Sequence, residues 1–350
     1  MISNPLYLED IEYTATRKLN WDKLKNSTVM ISGAGGLIGS LIIDVIMYKN
    51  ENEGLNCKVI ALGRSKERAK EKFSSYFDKS TFKFIEQDIN LPLDKEKTPR
   101  ADYVIHLASN THPLQYSTDP IGTITTNIIG TTNLLEFASY CSSKRVLFAS
   151  SNEIYGENRG DIDLFDESYC GYINSNTLRA GYPESKRCGE AMCQAYIKQK
   201  GLDVVIARLT RSYGPTMLMS DSKAISQFIK KGINGEDIVL KSEGNQYYSY
   251  TYVSDAVCGL LTVLLNGECG EAYNIADQKS DIRLKDLAKI ISEYSGTKVV
   301  FELPDETERA GYSTATIARL DGSKIKKIGW VAKYDIKTGL ERTLSILKNN

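Results

Sequence analysis

Short apolar runs alternate with longer segments of mixed polarity along much of the chain. From Thr28 onward, runs typical of buried strands are separated by stretches long enough for helices, and the runs read TVMIS, KVIALG, FKFIEQDI, ADYVIHLAS, RVLFASS and DVVIARL. Strands joined by helical connections pair in parallel through right-handed crossovers. The pattern therefore predicts an α/β fold built on a Rossmann-type doubly wound parallel sheet, with a smaller α/β substrate-binding lobe.

The alternation is regular over only part of the chain, and this predicts three regions. Residues 1–25 precede the first strand-like run, and we expect them to form a packed helical extension whose function the sequence does not reveal. Residues 26–208 carry the regular alternation and are predicted to form the dinucleotide-binding domain. Glycine and proline then become more frequent, so residues 209–350 are assigned to the substrate-binding lobe, with some segments crossing back into the sheet.

Composition limits the kinds of partner that the protein can have. The chain has 44 basic and 44 acidic residues, so no net charge draws it to nucleic acid or to an anionic membrane. No run approaches the about 18 apolar residues of a membrane helix, and the N-terminus lacks the layout of a signal peptide. The histidines have no ligand spacing and the cysteines no C-x-x-C motif. We expect a cytoplasmic protein with reduced thiols and without a metal, nucleic acid or membrane partner.

A glycine-rich turn directly follows the strand TVMIS. Gly33, Gly36 and Gly39 have the spacing G-x-x-G-x-x-G and lead into an amphipathic helix that begins around Leu37 and Ile38. Glycines at these positions permit a tight turn, close approach of the backbone to a pyrophosphate, and close packing of the helix on the strand. This context predicts a dinucleotide-binding site to which all five residues contribute.

The end of the second strand bears on which dinucleotide is bound. An acidic residue there accepts the ribose hydroxyls of NAD and repels a 2′-phosphate. In this chain the strand KVIALG runs straight into Arg64 and Lys66, with Arg68 close behind. The cofactor is therefore predicted to be NADP or NAD, with NADP favoured, although the same cations also fit the solvent-exposed start of a helix.

Two later strand ends are also predicted to contact the cofactor. Asp88 and Ile89 follow the third strand and are placed to hold the adenine amino group by side chain and backbone, although an exposed acid after a strand is an equally good interpretation. Leu107, Ala108 and Ser109 follow the fourth strand, where the backbone would pass beneath the nicotinamide.

A phenol and an ammonium group lie one helical turn apart at Tyr182 and Lys186. Carbonyl–alcohol chemistry needs an acid–base group at oxygen, and a tyrosine with its ordinary pKa of about 10 is too weak a base. A nearby lysine cation lowers that pKa and can hold the cofactor ribose. The strand RVLFASS delivers Ser151, a hydrogen-bonding partner for the same substrate oxygen, and Glu153, a second acid or base. The alternative is a turn serine and a solvated carboxylate.

These motifs together resemble the extended short-chain dehydrogenase/reductases, the NAD-dependent epimerase/dehydratase family that acts on nucleotide sugars. The resemblance runs from about Val29 to Trp330 and is closest in pattern to UDP-glucuronate decarboxylases and dTDP-glucose 4,6-dehydratases; it rests on HLASNTHPLQYSTDPIGTITTNIIGTTNLLEFA, LFASSNEIYGE, LRAGYPESKRCGEAMCQAYIKQKGLDVVIARL, SYGPTM and TYVSDAV. It implies that the catalytic residues are Ser151, Glu153, Tyr182 and Lys186. It also implies a cycle of oxidation at sugar C4, a change at C5 or C6, and re-reduction.

The departures from the family pattern fall on the substrate side. Arg211 replaces an asparagine, Thr216 replaces an arginine, and Tyr248 replaces an arginine that grips the nucleotide diphosphate in the family. A guanidinium is the best ligand for diphosphate oxygens. We hypothesise that Arg211, alone or with Arg309 or Arg319, replaces the missing cation; the alternative is that Arg211 is paired with an acid. The predicted substrate-binding residues are Asn110, Asn152, Arg211, Tyr248 and Arg309.

The type of reaction stays open between three alternatives. A decarboxylase, dehydratase or epimerase regenerates its cofactor in each turnover, and Glu153 favours this class because a plain reductase needs no second acid or base. The cations around Arg64 favour a net NADPH-dependent reductase of a nucleotide-activated keto sugar or ketose. A catalytically silent NADP-sensing protein is the third alternative, although such proteins typically lack the pair formed by Tyr182 and Lys186.

The resemblance also bears on assembly. The helical segments 120–141 and 182–200 carry more apolar residues than one core face needs. The equivalent helices of the resembling family pair across a dimer as a four-helix bundle. We therefore expect a homodimer formed through these two helices.

Overall fold

A computed structural model describes residues 1–111, 113–302 and 316–349. Its centre is a parallel sheet of seven strands in the order β10-β6-β5-β4-β1-β2-β3. The interior strand β1 (Thr28–Ser32) is buried along almost its whole length, as expected for a sheet covered on both faces. The strands are β1 Thr28–Ser32, β2 Lys58–Gly63, β3 Phe82–Glu86, β4 Tyr103–His106, β5 Arg145–Ser151, β6 Val204–Leu209 and β10 Ala272–Ile275. The predicted doubly wound α/β fold is confirmed.

Helices cover both faces of this sheet and extend into the second lobe. Helix α5 coincides with the predicted segment 120–141, and α6 begins one residue before the predicted segment 182–200. The helices are α1 Pro5–Ala15, α2 Leu37–Glu53, α3 Lys66–Lys72, α4 Pro113–Thr118, α5 Pro120–Cys141, α6 Gly181–Lys200, α7 Ala224–Asn234, α8 Val253–Asn266, α9 Leu284–Ser295, α10 Ser323–Lys327 and α11 Ile336–Lys348. In the described part of the chain, none of them is both long and apolar enough to cross a membrane.

The strand order positions the functional site. The chain runs from β1 outward to β2 and β3, and then returns across β1 to β4 on its other side. Neighbouring connections therefore leave the sheet in opposite directions between β1 and β4. Ligands of open α/β sheets bind in the crevice at the carboxyl ends of the strands at such a switch point.

A smaller set of strands forms the second lobe. Strand β9 pairs with β7 and β13 in parallel and with β11 in antiparallel fashion, and β8 pairs with β12. These strands are β7 Arg211–Tyr213, β8 Ile238–Leu240, β9 Tyr247–Tyr252, β11 Asp281–Arg283, β12 Val299–Phe301 and β13 Ile317–Ala318. Helix α8 and strand β10 return to the large sheet, so the second lobe is interleaved with the first. The boundaries 26–208 and 209–350 stay predictions.

The N-terminal segment packs against helices from early and late parts of the chain. Helix α1 packs on α2, α8 and α11. Its buried Asp10 accepts hydrogen bonds from the hydroxyl of Tyr252 at 2.5 Å and from the guanidinium of Arg342 at 2.9 Å. The hydroxyl of Tyr7 donates to Asp44 on α2 at 2.5 Å. Residues 1–25 thus stabilise the helix that carries the glycine-rich turn.

Candidate active site

A cavity of about 1380 Å³ opens at the carboxyl ends of the central strands. The large sheet supplies one wall and the second lobe the other. The lining residues include most of the predicted ones: Gly33, Gly36, Leu37, Ile38, Gly39, Arg64, Asp88, Ile89, Leu107, Ala108, Ser109, Asn110, Ser151, Asn152, Glu153, Tyr182, Lys186, Arg211 and Tyr248. Arg309 lies outside the described residues. The cavity is large enough for a dinucleotide and a second ligand at its inner end.

The glycine-rich turn is shaped by close backbone contacts. Gly33 has φ +69°, and a Cβ atom there would lie 2.9 Å from the backbone nitrogen of Ala108. A Cβ atom at Gly39 would lie 2.5 Å from the carbonyl oxygen of Gly33. Only glycine fits both places. Helix α2 begins at Leu37, so Gly39 lies in its first turn. The turn therefore forms a cradle at a helix N-terminus, and its shape fits the pyrophosphate of a nicotinamide dinucleotide.

A buried hydrogen-bond network fixes the cavity wall that follows β4, where the nicotinamide is predicted to lie. Ser32 Oγ accepts from the backbone nitrogens of Leu107 at 3.1 Å and Ala108 at 3.2 Å, and lies 2.8 Å from His106 Nδ1. The other ring nitrogen of His106 is 3.0 Å from the hydroxyl of Thr131. Burial lowers the pKa of His106 to about 3, so this ring is neutral at physiological pH. The histidine is a structural support for the two backbone positions.

The end of the cavity beyond β2 contains cations. Arg64 and Arg68 are solvent-exposed and line the cavity beyond the end of β2, whereas Lys66 is exposed on α3 and is not part of the lining. Gly63 occupies the last position of β2. Asp88 lines the cavity, and its carboxylate also accepts a hydrogen bond from the backbone nitrogen of Asn90 at 2.9 Å.

Lys72 is a cavity residue that the sequence pattern did not single out. Its Nζ donates to the carbonyl oxygen of Gly35 in the glycine-rich turn at 3.0 Å and lies 3.5 Å from the carbonyl oxygen of Thr216 in the second lobe. The hydroxyl of Thr216 donates to the carbonyl of Leu37 at 2.6 Å. Lys72 and Thr216 therefore connect the two walls of the cavity beside the cradle. Thr216 is the position at which the family pattern has an arginine after Gly-Pro.

Tyr182 lies deep in the inner half of the cavity. The hydroxyls of Ser151 and Ser109 line the same part of the cavity and lower the pKa of the Tyr182 phenol. Burial raises the pKa of Tyr182 above its usual value, the negative charge of Glu153 raises it further, and the two serine hydroxyls oppose the shift. The phenol is therefore protonated in the protein as described, and a further positive charge is needed to make it a base near neutral pH.

Lys186 lies one turn along α6, as predicted. Its Nζ donates to the carbonyl oxygen of Ala149 at 2.9 Å and lies 5.0 Å from the ring centre of Phe148. Burial lowers the pKa of Lys186 to about 8, so the ammonium form still predominates at neutral pH. Arg179 is the cation that lowers the pKa of Tyr182 most, whereas the sequence spacing had pointed to Lys186.

Glu153 is not a free carboxylate. Arg179 Nη2 donates to its Oε1 at 2.9 Å, and Arg179 Nη1 lies 2.9 Å from its Oε2. The guanidinium lies 4.9 Å from the ring centre of Tyr116, and that ring stacks on Tyr182 with centres 4.9 Å apart and planes 26° apart. Arg179 and Tyr116 belong to no recognisable local motif of their own, and only their proximity in space identifies them as site residues.

The cation predicted for the substrate diphosphate stacks on the residue that replaced the family arginine. Arg211 lies 3.5 Å from the ring centre of Tyr248, and its Nη1 is buried without a hydrogen-bond partner among the described residues. Arg319 instead pairs with Asp281, with Nε 2.9 Å from Oδ2. Of the two described candidates, Arg211 is the one that lines the cavity.

Small polar side chains complete the inner half. Asn110 and Asn152 are buried and line the cavity, as does Ser150, whose hydroxyl has no partner among the described residues. Asn127 connects two segments, since it accepts from Ser109 Oγ at 2.7 Å and donates to Ser185 Oγ at 2.9 Å. Within the described ranges, no group of His, Cys, Asp and Glu side chains has the arrangement of a metal site.

The parallel sheet, the glycine cradle and the Ser–Tyr–Lys arrangement define a nicotinamide-dependent enzyme of the extended short-chain dehydrogenase/reductase class. Residues 29–276 match the model of the NAD dependent epimerase/dehydratase family. The chain belongs to this family, and the family predicted from the sequence is confirmed.

Curated relatives match over most of the chain. It is 32% identical over 320 residues to UDP-glucuronic acid decarboxylase 3 of Arabidopsis thaliana, covering 90% of this chain and 87% of the relative. It is 31% identical over 321 residues to UDP-glucuronic acid decarboxylase 1 of Xenopus tropicalis, covering 90% and 71%. The prediction of a nucleotide-sugar-modifying enzyme is confirmed at the level of these relatives.

Solved structures share the fold. A dTDP-glucose 4,6-dehydratase double mutant from Streptomyces venezuelae with NAD bound has a TM-score of 0.79 and 24% identity, covering 92% of this chain and 97% of that one. A UDP-glucuronic acid 4-epimerase from Bacillus cereus, in complex with UDP-glucuronic acid and NAD, has a TM-score of 0.78 and 22% identity, covering 92% and 99%.

Proposed function

We propose that this protein modifies the sugar of a nucleotide sugar through a hydride transfer at C4, in the manner of a UDP-glucuronate decarboxylase. The observation that carries the proposal is the position of the Tyr182 phenol. It lies beside the Ser151 and Ser109 hydroxyls in the same cavity as the glycine cradle, with Glu153 on the adjoining wall. A C4 hydroxyl at this point would contact both an acid–base group and a hydrogen-bonding serine.

Each group has a role in the proposed reaction. A bound nicotinamide ring would accept and return the hydride. Tyr182 would take the proton of the C4 hydroxyl, and Ser151 would hold the oxygen in place. Lys186 would hold the cofactor ribose, and its cation would help to lower the pKa of the phenol. Glu153 would act on the neighbouring carbon, which distinguishes this cycle from simple reduction.

The preference for NADP is a finer part of the proposal. The family is NAD-dependent, but Arg64 and Arg68 line the adenosine end, and the last residue of β2 is Gly63. Guanidinium groups favour a 2′-phosphate, and no carboxylate at the end of β2 repels it. Calorimetric titration with both oxidised cofactors tests this preference. We expect tighter binding of NADP, and Arg64→Ala should reduce that difference; tighter binding of NAD to the unchanged protein would contradict it.

A homodimer is the proposed assembly. Helix α5 exposes Ile121 with 76% of its surface accessible and also Ile124 and Ile129, while Leu178 before α6 is 70% exposed. Exposed isoleucine and leucine side chains in one region are typical of protein interfaces. Sedimentation velocity should give twice the chain mass, and Ile121→Glu should shift it toward the monomer. A monomeric unchanged protein would contradict the proposal.

The reaction class is tested with purified protein and a panel of UDP-, dTDP-, CDP- and GDP-sugars. The absorbance of reduced nicotinamide is followed beside the mass of the product. Loss of carbon dioxide with a recycled cofactor is the expected result. Stoichiometric consumption of NADPH would instead support the second candidate, a net reductase, which the cations at Arg64 and Arg68 favour. No change in any sugar would overturn both.

A further inference from the structure

A charged pair faces the substrate end of the cavity. Arg179 forms a two-pronged ion pair with Glu153, with two nitrogen–oxygen distances of 2.9 Å. The side chain of Arg179 is 35% exposed and that of Glu153 is 23% exposed. Glu153 follows β5, whereas Arg179 lies in a short turn just before α6. Two separate segments thus bring opposite charges together inside the cavity, one aromatic ring away from the Tyr182 phenol.

The position of this pair is fixed by stacked rings. The Arg179 guanidinium lies over Tyr116, and Tyr116 stacks on Tyr182, each at 4.9 Å. Tyr116 is only 7% exposed, so its neighbours in the cavity wall hold the ring in place. Arg179 therefore has a fixed distance to both the phenol and the carboxylate.

The pairing sets the charge that a sugar substituent would meet. Glu153 alone would repel a carboxylate on the sugar, because like charges a few ångströms apart in a partly dehydrated site are strongly unfavourable. Arg179 cancels that charge. Both terminal nitrogens of the guanidinium are engaged with the two carboxylate oxygens of Glu153, at 2.9 Å each. The neutral pair thus tolerates a carboxylate on the sugar.

We propose that Arg179 is a specificity-determining residue that allows the site to accept a nucleotide sugar carrying a carboxylate at C5, a nucleotide-linked hexuronate. This inference rests on the proposed function, because it concerns the same site. Lys186 and Arg211 do not take this role: Lys186 donates to a strand carbonyl, and Arg211 stacks on Tyr248 in the second lobe. Without Arg179, Glu153 would make the site selective for a sugar with an uncharged C5 substituent.

The test compares the affinities of two probes that differ only at C5, UDP-glucuronate and UDP-glucose. The protein is loaded with reduced cofactor, so that neither sugar is oxidised during calorimetry. In Arg179→Gln, we expect the affinity for UDP-glucuronate to fall about 100-fold, while that for UDP-glucose changes less than about threefold. Arg179→Lys keeps a cation but loses the two-pronged contact, so its loss should be about tenfold.

Two further variants separate charge from structure. In Arg179→Gln with Glu153→Gln, the repulsion is removed, so UDP-glucuronate binding should recover most of the loss. Arg211→Gln is the matched control, because the diphosphate that Arg211 is proposed to contact is common to both probes, so the change should weaken both equally. Recovery in the double variant would also show that Arg179→Gln retains its fold.

Each result supports or overturns the inference. If Arg179→Gln and Arg179→Lys both leave the ratio of the two affinities unchanged, Arg179 does not determine specificity, although the proposed function stands. If the double variant binds UDP-glucuronate no better than Arg179→Gln does, the inference that Arg179 acts by cancelling the charge of Glu153 is wrong. If neither probe binds to the unchanged protein, the inference fails together with the UDP-glucuronate-like function.

Discussion

The two halves of the cavity are built in different ways. In the cofactor half, the key contacts come from a turn of seven residues and from strand ends, and backbone atoms make many of them. In the substrate half, the key contacts join side chains from distant segments, as in Arg179 with Glu153 and Arg211 with Tyr248. Backbone geometry leaves little freedom for substitution, whereas side-chain pairs can be exchanged. The cofactor half therefore follows the family pattern more closely than the substrate half.

The largest effect is expected where the halves meet, at Tyr182. In Tyr182→Phe the ring and its stacking on Tyr116 remain, but the hydroxyl that transfers the proton is lost. We expect kcat to fall about 10³-fold. The Kd for the cofactor should change less than about twofold, because the phenol contributes to chemistry rather than to the cradle. The kcat is measured with the sugar that the panel identifies. The Kd is measured by fluorescence titration with the cofactor.

Tyr169→Phe is the matched control for this change. Among the described residues, its hydroxyl donates only to Asp161 on the surface, so kcat should remain within about twofold. A Tyr182→Phe enzyme of nearly full activity would show that another group transfers the proton.

The cofactor half is tested by Gly33→Ala. The new methyl group would meet the backbone of Ala108 at 2.9 Å, and φ of +69° is unfavourable for alanine. We expect the Kd of the cofactor to rise about 10- to 100-fold. The affinity for a nucleotide sugar should change far less, which would separate the two halves experimentally.

Gly35→Ala provides the matched control within the same turn. A Cβ atom there meets no atom within 4 Å, and the residue lacks a positive φ. Its cofactor affinity should stay close to that of the unchanged protein. Equal losses in both variants would mean that flexibility of the turn, and not close packing, determines binding.

The same contrast explains what the sequence could predict. Gly33, Gly36 and Gly39 lie close together in the chain, and Tyr182 and Lys186 lie one helical turn apart, so local spacing shows their relation. Arg179 and Glu153 are joined only by the fold, and the same holds for Asp10 and Arg342, which lie at opposite ends of the chain. These distant pairs were missed because no local pattern encodes them.

Arg211 tests whether one substitution compensates for another in the substrate half. We expect Arg211→Gln to raise the Kd of a nucleotide sugar about tenfold, because a charge-assisted contact with the diphosphate is lost. The cofactor affinity should be unchanged. Isothermal titration of the cofactor-loaded protein measures both.

The control for this change is Arg283→Gln on the exposed edge of the second lobe. Arg283 donates to the carbonyl of Asn245 and lies over Tyr247, outside the cavity lining. It should leave the sugar affinity unaltered. If Arg211→Gln behaves like this control, the substrate diphosphate is held by other groups.

The smallest effect concerns Asp44, which lies on α2, the helix that follows the glycine-rich turn. This carboxyl group on α2 accepts hydrogen bonds from Tyr7 at 2.5 Å and from Tyr76 at 3.0 Å. Burial raises the pKa of Asp44 to about 6, against an ordinary value of 3.8. The folded protein therefore binds this proton more tightly than the unfolded chain does.

It follows that the contribution of Asp44 to stability increases as the pH falls through about 6 and is complete below the ordinary carboxyl value. Asp44→Asn cannot bind this proton. We expect the unfolding free energy of the unchanged protein, relative to Asp44→Asn, to rise by roughly 1–3 kcal/mol between pH 7 and pH 4 in urea titrations. Asp78→Asn, at an exposed position, should show no such difference. If Asp44→Asn parallels the unchanged protein across this range, the carboxyl group has an ordinary pKa, and the N-terminal helix does not bury a charge against α2.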